Sequence, residues 1–211
     1  MNVVEIIPDT IQGEGQFSGR ACNFIRLAGC EAHCQFCDTK ESWNLQSGKE
    51  MEVQEIMKLL PVYPDLTVIT GGDPLLQDCD QLISCLENSG HEVHLECHSL
   101  GIDVSPSWIK RIDEITFSPK YHLEYKFLWE IPYRSSMKLL LSPDPKMISG
   151  VKFWLDKAGV GVVGGDIYIQ LLTDESQDID RSVEIFKSLS KEYSGLNLRL
   201  SSQMHKVWGV K

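Results

Sequence analysis

The segment Asn23-Phe24-Ile25-Arg26-Leu27-Ala28-Gly29-Cys30-Glu31-Ala32-His33-Cys34-Gln35-Phe36-Cys37-Asp38-Thr39 passes from a short apolar strand pattern into a loop with three cysteines spaced C-x3-C-x2-C. A loop of this length can wrap one small inorganic centre. Three thiolates with no fourth cysteine nearby suit a [4Fe-4S] cubane with one iron left open to an outside ligand. A structural zinc site asks for four closed ligands, and His33 would have to supply the fourth from between two of the cysteines, against the turn. Buried free thiols are the plainest alternative. The other cysteines, Cys22, Cys79, Cys85 and Cys97, are scattered, and an odd total of seven fits a reducing compartment better than a disulfide framework.

Outward from this segment, apolar strand patterns recur at 3–7, 23–27, 66–70, 92–96, 114–117, 137–141 and 166–171, with a weaker eighth at 197–200. Between them, 53–60, 80–88, 107–112, 148–157 and 180–192 carry apolar residues three and four apart. Ile56, Leu59 and Leu60 are one such set and Val183, Phe186 and Leu189 another, as expected of surface helices with one buried stripe. Strand–helix–strand units repeated in this way require right-handed crossovers and a mainly parallel sheet, with functional residues at the carboxyl ends of the strands. An incomplete α/β barrel is the first expectation, ahead of an open doubly wound sheet. No repeat or low-complexity linker divides residues 1–211, so one domain is expected.

Composition narrows the partners. The chain is 42% hydrophobic and 24% charged, as a soluble globular protein is. Twenty Lys and Arg face thirty Asp and Glu, a formal charge of −10 with no basic run, which speaks against nucleic acid as a partner. No apolar run approaches the ~20 residues of a membrane span. Residues 1–10 carry Glu5 and Asp9 where a secretory signal would be basic, so a cytoplasmic protein with no membrane partner is expected. The run 159–164 matches G-x-G-x-x-G, yet it follows a helix pattern and precedes a strand, the reverse of a dinucleotide site. The aromatic-rich run 121–133, with Tyr125, Phe127 and Trp129, is read as core or cap packing, with a dimer interface as the alternative.

A cysteine triplet of this spacing after a first strand resembles the signature of radical SAM enzymes. Further segments stand in the order of the motifs of the 7-carboxy-7-deazaguanine synthase family: Thr10-Ile11-Gln12-Gly13-Glu14-Gly15, Phe24-Ile25-Arg26-Leu27, Cys37-Asp38-Thr39, Thr70-Gly71-Gly72-Asp73-Pro74, Ser118-Pro119-Lys120 and Gln203-Met204-His205-Lys206. The resemblance implies a partial TIM-like barrel. It also implies a carbon–nitrogen lyase of the deazapurine (queuosine-type) pathway. Such an enzyme converts 6-carboxy-5,6,7,8-tetrahydropterin to 7-carboxy-7-deazaguanine, losing ammonia in a ring contraction begun by a 5′-deoxyadenosyl radical.

Residue by residue, the resemblance makes Cys30, Cys34 and Cys37 the [4Fe-4S] ligands and Thr39 the Mg2+ ligand. Magnesium keeps most of its coordination for water and substrate oxygens, so one protein ligand suffices. For S-adenosyl-L-methionine the resemblance implies Phe36, Asp38, Gly71, Gly72, Asp73, Ser118, Pro119, Lys120 and Gln170; for the pterin substrate it implies Ile11, Gln12, Gly13, Glu14, Arg26, Thr70 and His205. The residue types agree, because a pterin edge offers amide-like donors and acceptors and Arg grips a carboxylate with two prongs. Asp73 stands where the family more usually has Glu, Cys97 where it often has Thr, and Lys211 where it often has Pro.

His94, Glu96 and His98 alternate along a strand like half a metal site; packing is the plainer reading, with Glu96 at the strand end within range of SAM. An electron donor such as flavodoxin and a homodimer are the implied partners. A glycyl-radical-activating enzyme shares the triplet but needs a groove for a protein loop, which the compact length and the Gln12-to-Gly15 segment disfavour. A zinc-stabilised binding module is the non-enzyme alternative.

Overall fold

Two strands that cross the same sheet in opposite directions begin the architecture. In the computed structural model, which describes residues 1–99, 106–123, 125, 135–158, 165–172 and 178–210, β1 (Asn2–Ile11) runs antiparallel to β2 (Ala21–Leu27), pairing Ile6 with Ile25 and Thr10 with Cys22. Lys49–Glu50 (β3) adds an antiparallel edge to β1. From β2 onward every neighbour is parallel: β4 (Leu66–Gly71), β5 (Glu92–Cys97), β6 (Glu114–Phe117), β7 (Ser135–Leu141), β8 (Ile167–Leu171) and β9 (Leu198–Ser201) follow in order. The nine-stranded order begins at β3 and ends at β9, so the sheet is an incomplete barrel that does not close.

Alternation along each strand separates two faces. Ile25, Leu27, Ile69 and Leu95 face outward and pack beneath the helices α1 (Val53–Leu59), α2 (Asp80–Asn88), α3 (Pro145–Ala158) and α4 (Ile179–Glu192) in one apolar cluster. The helices supply Ile56, Leu82, Ile83, Leu86, Trp154 and Leu155 to it, each nearly or wholly buried. Their starts are fixed locally. The Glu55 carboxylate accepts the Glu52 N–H at 3.0 Å, and Asp178 accepts the Arg181 N–H at 2.9 Å, each satisfying a donor at a helix start. The opposite, inner face carries a small plug of Cys22, Leu66 and Val68 with Phe17 and Phe24 against it. Beyond the plug the lumen turns polar: His94 Nε2 pairs with Thr116 Oγ1 at 2.8 Å, and Thr116 Oγ1 with Ser136 Oγ at 3.3 Å.

The open side is tied by the chain's two ends. Gly15 N–H donates to Ser201 Oγ at 3.2 Å, and Met204 N–H, at the start of α5 (Met204–Trp208), donates to the Gly13 carbonyl at 3.0 Å.

Several expectations shift. The strand expected at 3–7 extends over Asn2–Ile11 and is antiparallel to β2. The helix expected at 107–112 is a 3-10 segment, Ser107–Arg111, because the buried pair Trp108 and Ile109 is adjacent in sequence and Pro106 leaves only a short crossover before β6. Neither β3, a two-residue edge, nor α5, a single turn and a half with Val207 exposed, carries a periodic apolar pattern that sequence reading detects. The run 159–164 lies outside the described residues, as do 124 and 126–133 of the aromatic run. Tyr125 is core packing, its ring 5.0 Å from that of Trp154 and 5.6 Å from that of Phe117.

Candidate active site

The carboxyl ends of the parallel strands surround a cavity of about 250 Å³. Its first wall is built by backbone. β2 ends at Leu27, and Gly29 enters the cysteine loop with a φ of 100°, a left-handed value that favours glycine. The next strand ends in Gly71 and Gly72, packed directly on that turn. A Cβ on Gly71 would stand 2.1 Å from the Leu27 carbonyl oxygen, and one on Gly72 2.0 Å from that of Gly29. Hydrogen bonds lock the junction: Gly72 N–H to Leu27 O at 2.9 Å and Asp73 N–H to Gly29 O at 2.6 Å. The cysteine loop is held from its other side by Gly29 N–H to Ser42 O, Cys30 N–H to Trp43 O, and His122 Nε2 against Ala32 O at 2.8 Å.

Cys30, Cys34 and Cys37 all border the cavity, with Cys37 N–H turned back on Cys34 O at 3.0 Å. Burial pushes the Cys30 and Cys34 thiols above their ordinary value, so a metal centre taking them as thiolates would displace their protons. Three thiols on one cavity with no fourth cysteine in their loop suit a cluster that keeps one iron open to an outside ligand.

The second wall is built by charge. Lys138 reaches inward from the middle of β7, its Nζ 2.7 Å from Glu14 Oε2 and 3.3 Å from Glu96 Oε2. Gln12 Nε2 donates to Glu96 Oε1 at 3.0 Å. Burial opposes charge on both Lys138 and Glu96, yet Glu14 and then Glu96 raise Lys138 well above its ordinary value, and Lys138 holds Glu96 well below its own. Gln203 Nε2 donates to Glu14 Oε1 at 3.1 Å and to Asp38 Oδ2 at 2.9 Å, joining the first loop, the cysteine loop and the chain's last segment. Burial would raise the Asp38 carboxyl, but hydrogen bonds from Thr39 and Gln203, with Lys206 and Arg26 nearby, outweigh it and hold Asp38 below its usual range. Thr39 Oγ1 lies 3.0 Å from Asp38 Oδ1 and 3.4 Å from an Arg26 guanidinium nitrogen. The Arg26 head is lightly held, its Nε 3.7 Å from Glu5 Oε2, which leaves it free to take another anion.

Most residues implied by the resemblance meet on this cavity: Ile11, Gln12, Gly13, Glu14, Arg26, Phe36, Asp38, Thr39, Thr70, Gly71, Gly72, Ser118, Lys120 and His205 border it with the three cysteines. Lys120 Nζ donates to Ser118 Oγ at 3.0 Å, and burial lowers its pKa. His205 closes on Gly13 so tightly that a Cβ there would lie 2.4 Å from the imidazole Nδ1.

Three expected SAM residues stand behind the wall instead. Asp73 is wholly buried, its carboxylate taken by Leu75 N–H at 3.2 Å and Ser99 N–H at 2.9 Å, as its short side chain dictates. Pro119 borders a separate small void with Phe36, and Gln170 is buried in β8 with its Oε1 unpartnered among the described residues. Sequence reading missed Lys138, whose signal is a lone cation inside Met137-Lys138-Leu139-Leu140-Leu141. It weighed His94, Glu96 and His98 mainly as packing; His94 is in the lumen's polar stack, whereas Glu96 and His98 border the cavity.

Residues 24–122 match the family model of the Radical SAM superfamily. The chain is 31% identical to the 7-carboxy-7-deazaguanine synthase of Hyperthermus butylicus, over 97% of this chain and 91% of that one. It is 30% identical to the enzyme of the same name from Synechocystis sp., over 96% and 90% respectively. The fold is similar to the crystal structure of QueE from Escherichia coli, with a TM-score of 0.69 and 23% identity across 96% of this chain and 93% of that one.

Proposed function

The chain belongs to the family of 7-carboxy-7-deazaguanine synthases, and from that premise we propose that it converts 6-carboxy-5,6,7,8-tetrahydropterin to 7-carboxy-7-deazaguanine with loss of ammonia. It is a radical SAM enzyme of deazapurine biosynthesis. The observation that carries the finer reading is the meeting, on one cavity, of three thiols with a set of donors and acceptors that suits a carboxylated pterin.

A [4Fe-4S] cluster on Cys30, Cys34 and Cys37 would supply the electron that splits SAM into methionine and the 5′-deoxyadenosyl radical. The remaining work falls to the chain. Phe36, Asp38, Gly71, Gly72, Ser118 and Lys120 would border SAM, the two glycines leaving room for its approach, with Asp73, Pro119 and Gln170 supporting them from behind. Arg26 would take the substrate carboxylate with two parallel hydrogen bonds. Gln12 and Glu14 would meet the amide-like edge of the ring, with Ile11, Gly13 and Thr70 bordering it, and His205 would cover it. The Thr39 hydroxyl would hold Mg2+ beside that carboxylate, leaving most of the coordination to water and substrate. Lys138 pairs with both Glu14 and Glu96 and holds Glu96 ionised, so the pterin would meet acceptors already in position.

The reading extends to one radical SAM domain over 1–211, working in the cytoplasm as a homodimer and reduced by a donor such as flavodoxin. Anaerobic incubation of iron-loaded protein with SAM, a reductant and 6-carboxytetrahydropterin should yield 7-carboxy-7-deazaguanine, faster with Mg2+. SAM cleavage without any deazapurine product would refute the substrate.

A further inference from the structure

We propose that His98 donates its Nε2–H to Sγ of Cys30 and thereby raises the reduction potential of the cluster bound there, with Asp73 as the residue that orients the imidazole. The inference rests on the reading of the triplet as cluster ligands. His98 follows β5 directly, is 5% exposed and borders the cavity. Its Nε2 lies 3.4 Å from Cys30 Sγ and 3.4 Å from Asp73 Oδ2, while Nδ1 has no partner among the described residues. A cluster-bound thiolate is an acceptor and Nδ1 meets no partner among the described residues, so the ring proton belongs on Nε2, facing the sulfur with the Asp73 carboxylate beside it at ion-pair distance.

The placement is rigid. The Asp73 N–H donates to Gly29 O, one residue before Cys30, and the Asp73 carboxylate accepts the N–H of Ser99, one residue after His98. The carboxylate thus lies between the cysteine loop and the end of β5 and holds the imidazole against the sulfur from behind the cavity wall. Hydrogen bonds to cluster sulfurs stabilise the more negative, reduced state and are one of the levers by which a protein sets its potential. A histidine present for packing alone would leave that potential unmoved when replaced.

The test is an EPR-monitored redox titration of the iron-loaded protein without SAM, comparing wild type with His98→Leu and His98→Gln. His98→Leu should disfavour reduction about tenfold, a shift of about 59 mV to more negative potential for a one-electron couple. His98→Gln keeps an N–H near the same place and should recover most of it. An unchanged potential in a fully iron-loaded His98→Leu would overturn the proposal. A second measurement does not depend on that variant's folding: in otherwise wild-type protein with histidine 15N-labelled in the ring, the reduced cluster should show a weak 15N coupling that His98→Gln abolishes, and its absence would equally overturn the proposal. Wild-type protein that takes up no [4Fe-4S] cluster would refute the functional reading itself, whereas a normal cluster indifferent to His98 refutes only the hydrogen bond.

Discussion

The two walls of the cavity are made differently. Around the cysteine loop, position is set by backbone touching backbone: Gly71 and Gly72 lie against residues 27–29, where no Cβ fits. Across the lumen, position is set by side chains from distant strands and loops, with Lys138 joining Glu14 and Glu96 and Gln203 joining Glu14 to Asp38. The first wall tolerates almost no change of residue at its glycines. The second depends on its charges staying paired.

The charged wall should break hardest. Lys138→Met leaves the partly buried Glu14 and Glu96 without their shared cation, a cost approaching that of breaking a buried pair, about 3–5 kcal/mol, measurable by denaturant unfolding. Its pH dependence follows from Glu96. In the wild type the folded Glu96 pKa is depressed, so its contribution is complete above the ordinary glutamate range, about 4.3, and is lost as pH falls through the folded value. Without Lys138, burial raises Glu96 instead, so the deficit of Lys138→Met relative to wild type should shrink between pH 7 and pH 5. A deficit independent of pH would mean that lost packing, not charge, is responsible.

The backbone wall should break next. Gly72→Ala places a methyl group against the Gly29 carbonyl, an overpacking expected at the upper end of about 1–3 kcal/mol. Because the displaced segment begins the cysteine loop, iron uptake at pH 7 should fall with stability, and the stability deficit itself should be the same at pH 5 and pH 7. Retained iron in a destabilised Gly72→Ala protein would show that the glycine junction does not position the thiols.

Arg26 sharpens the comparison because it stands on the first wall's strand but faces the second wall's ligands. Arg26→Lys keeps the charge and loses the fork, a change of about 1.5–3 kcal/mol, or about 10- to 150-fold in substrate Kd, with SAM Kd nearly unaffected. Equal loss of both ligands would point to misfolding.

Contiguous motifs were legible on both walls: the cysteine triplet and the Thr70-to-Pro74 turn on the first, and the Thr10-to-Gly15 and Gln203-to-Lys206 segments on the second, because each sets particular residue types at a fixed local spacing. Parallel strands and amphipathic helices were legible for the same reason, since periods of two and 3.6 are local. Lys138 was not, because an ion pair that joins β7 to a loop more than a hundred residues away leaves no local pattern. Asp73 was legible as a motif residue, but its position behind the wall depends also on Ser99, which only the folded chain brings to it. The turn α5 likewise follows from a contact with the first loop, Met204 N–H to the Gly13 carbonyl.

The central claim is that the two walls present SAM and the pterin to each other across one cavity. It is tested most directly by turning over 6-carboxytetrahydropterin deuterated at C6 and weighing the recovered SAM and 5′-deoxyadenosine. Deuterium in the 5′-position of the recovered nucleoside is the predicted result; deuterium retained in the product or released only to water would contradict it.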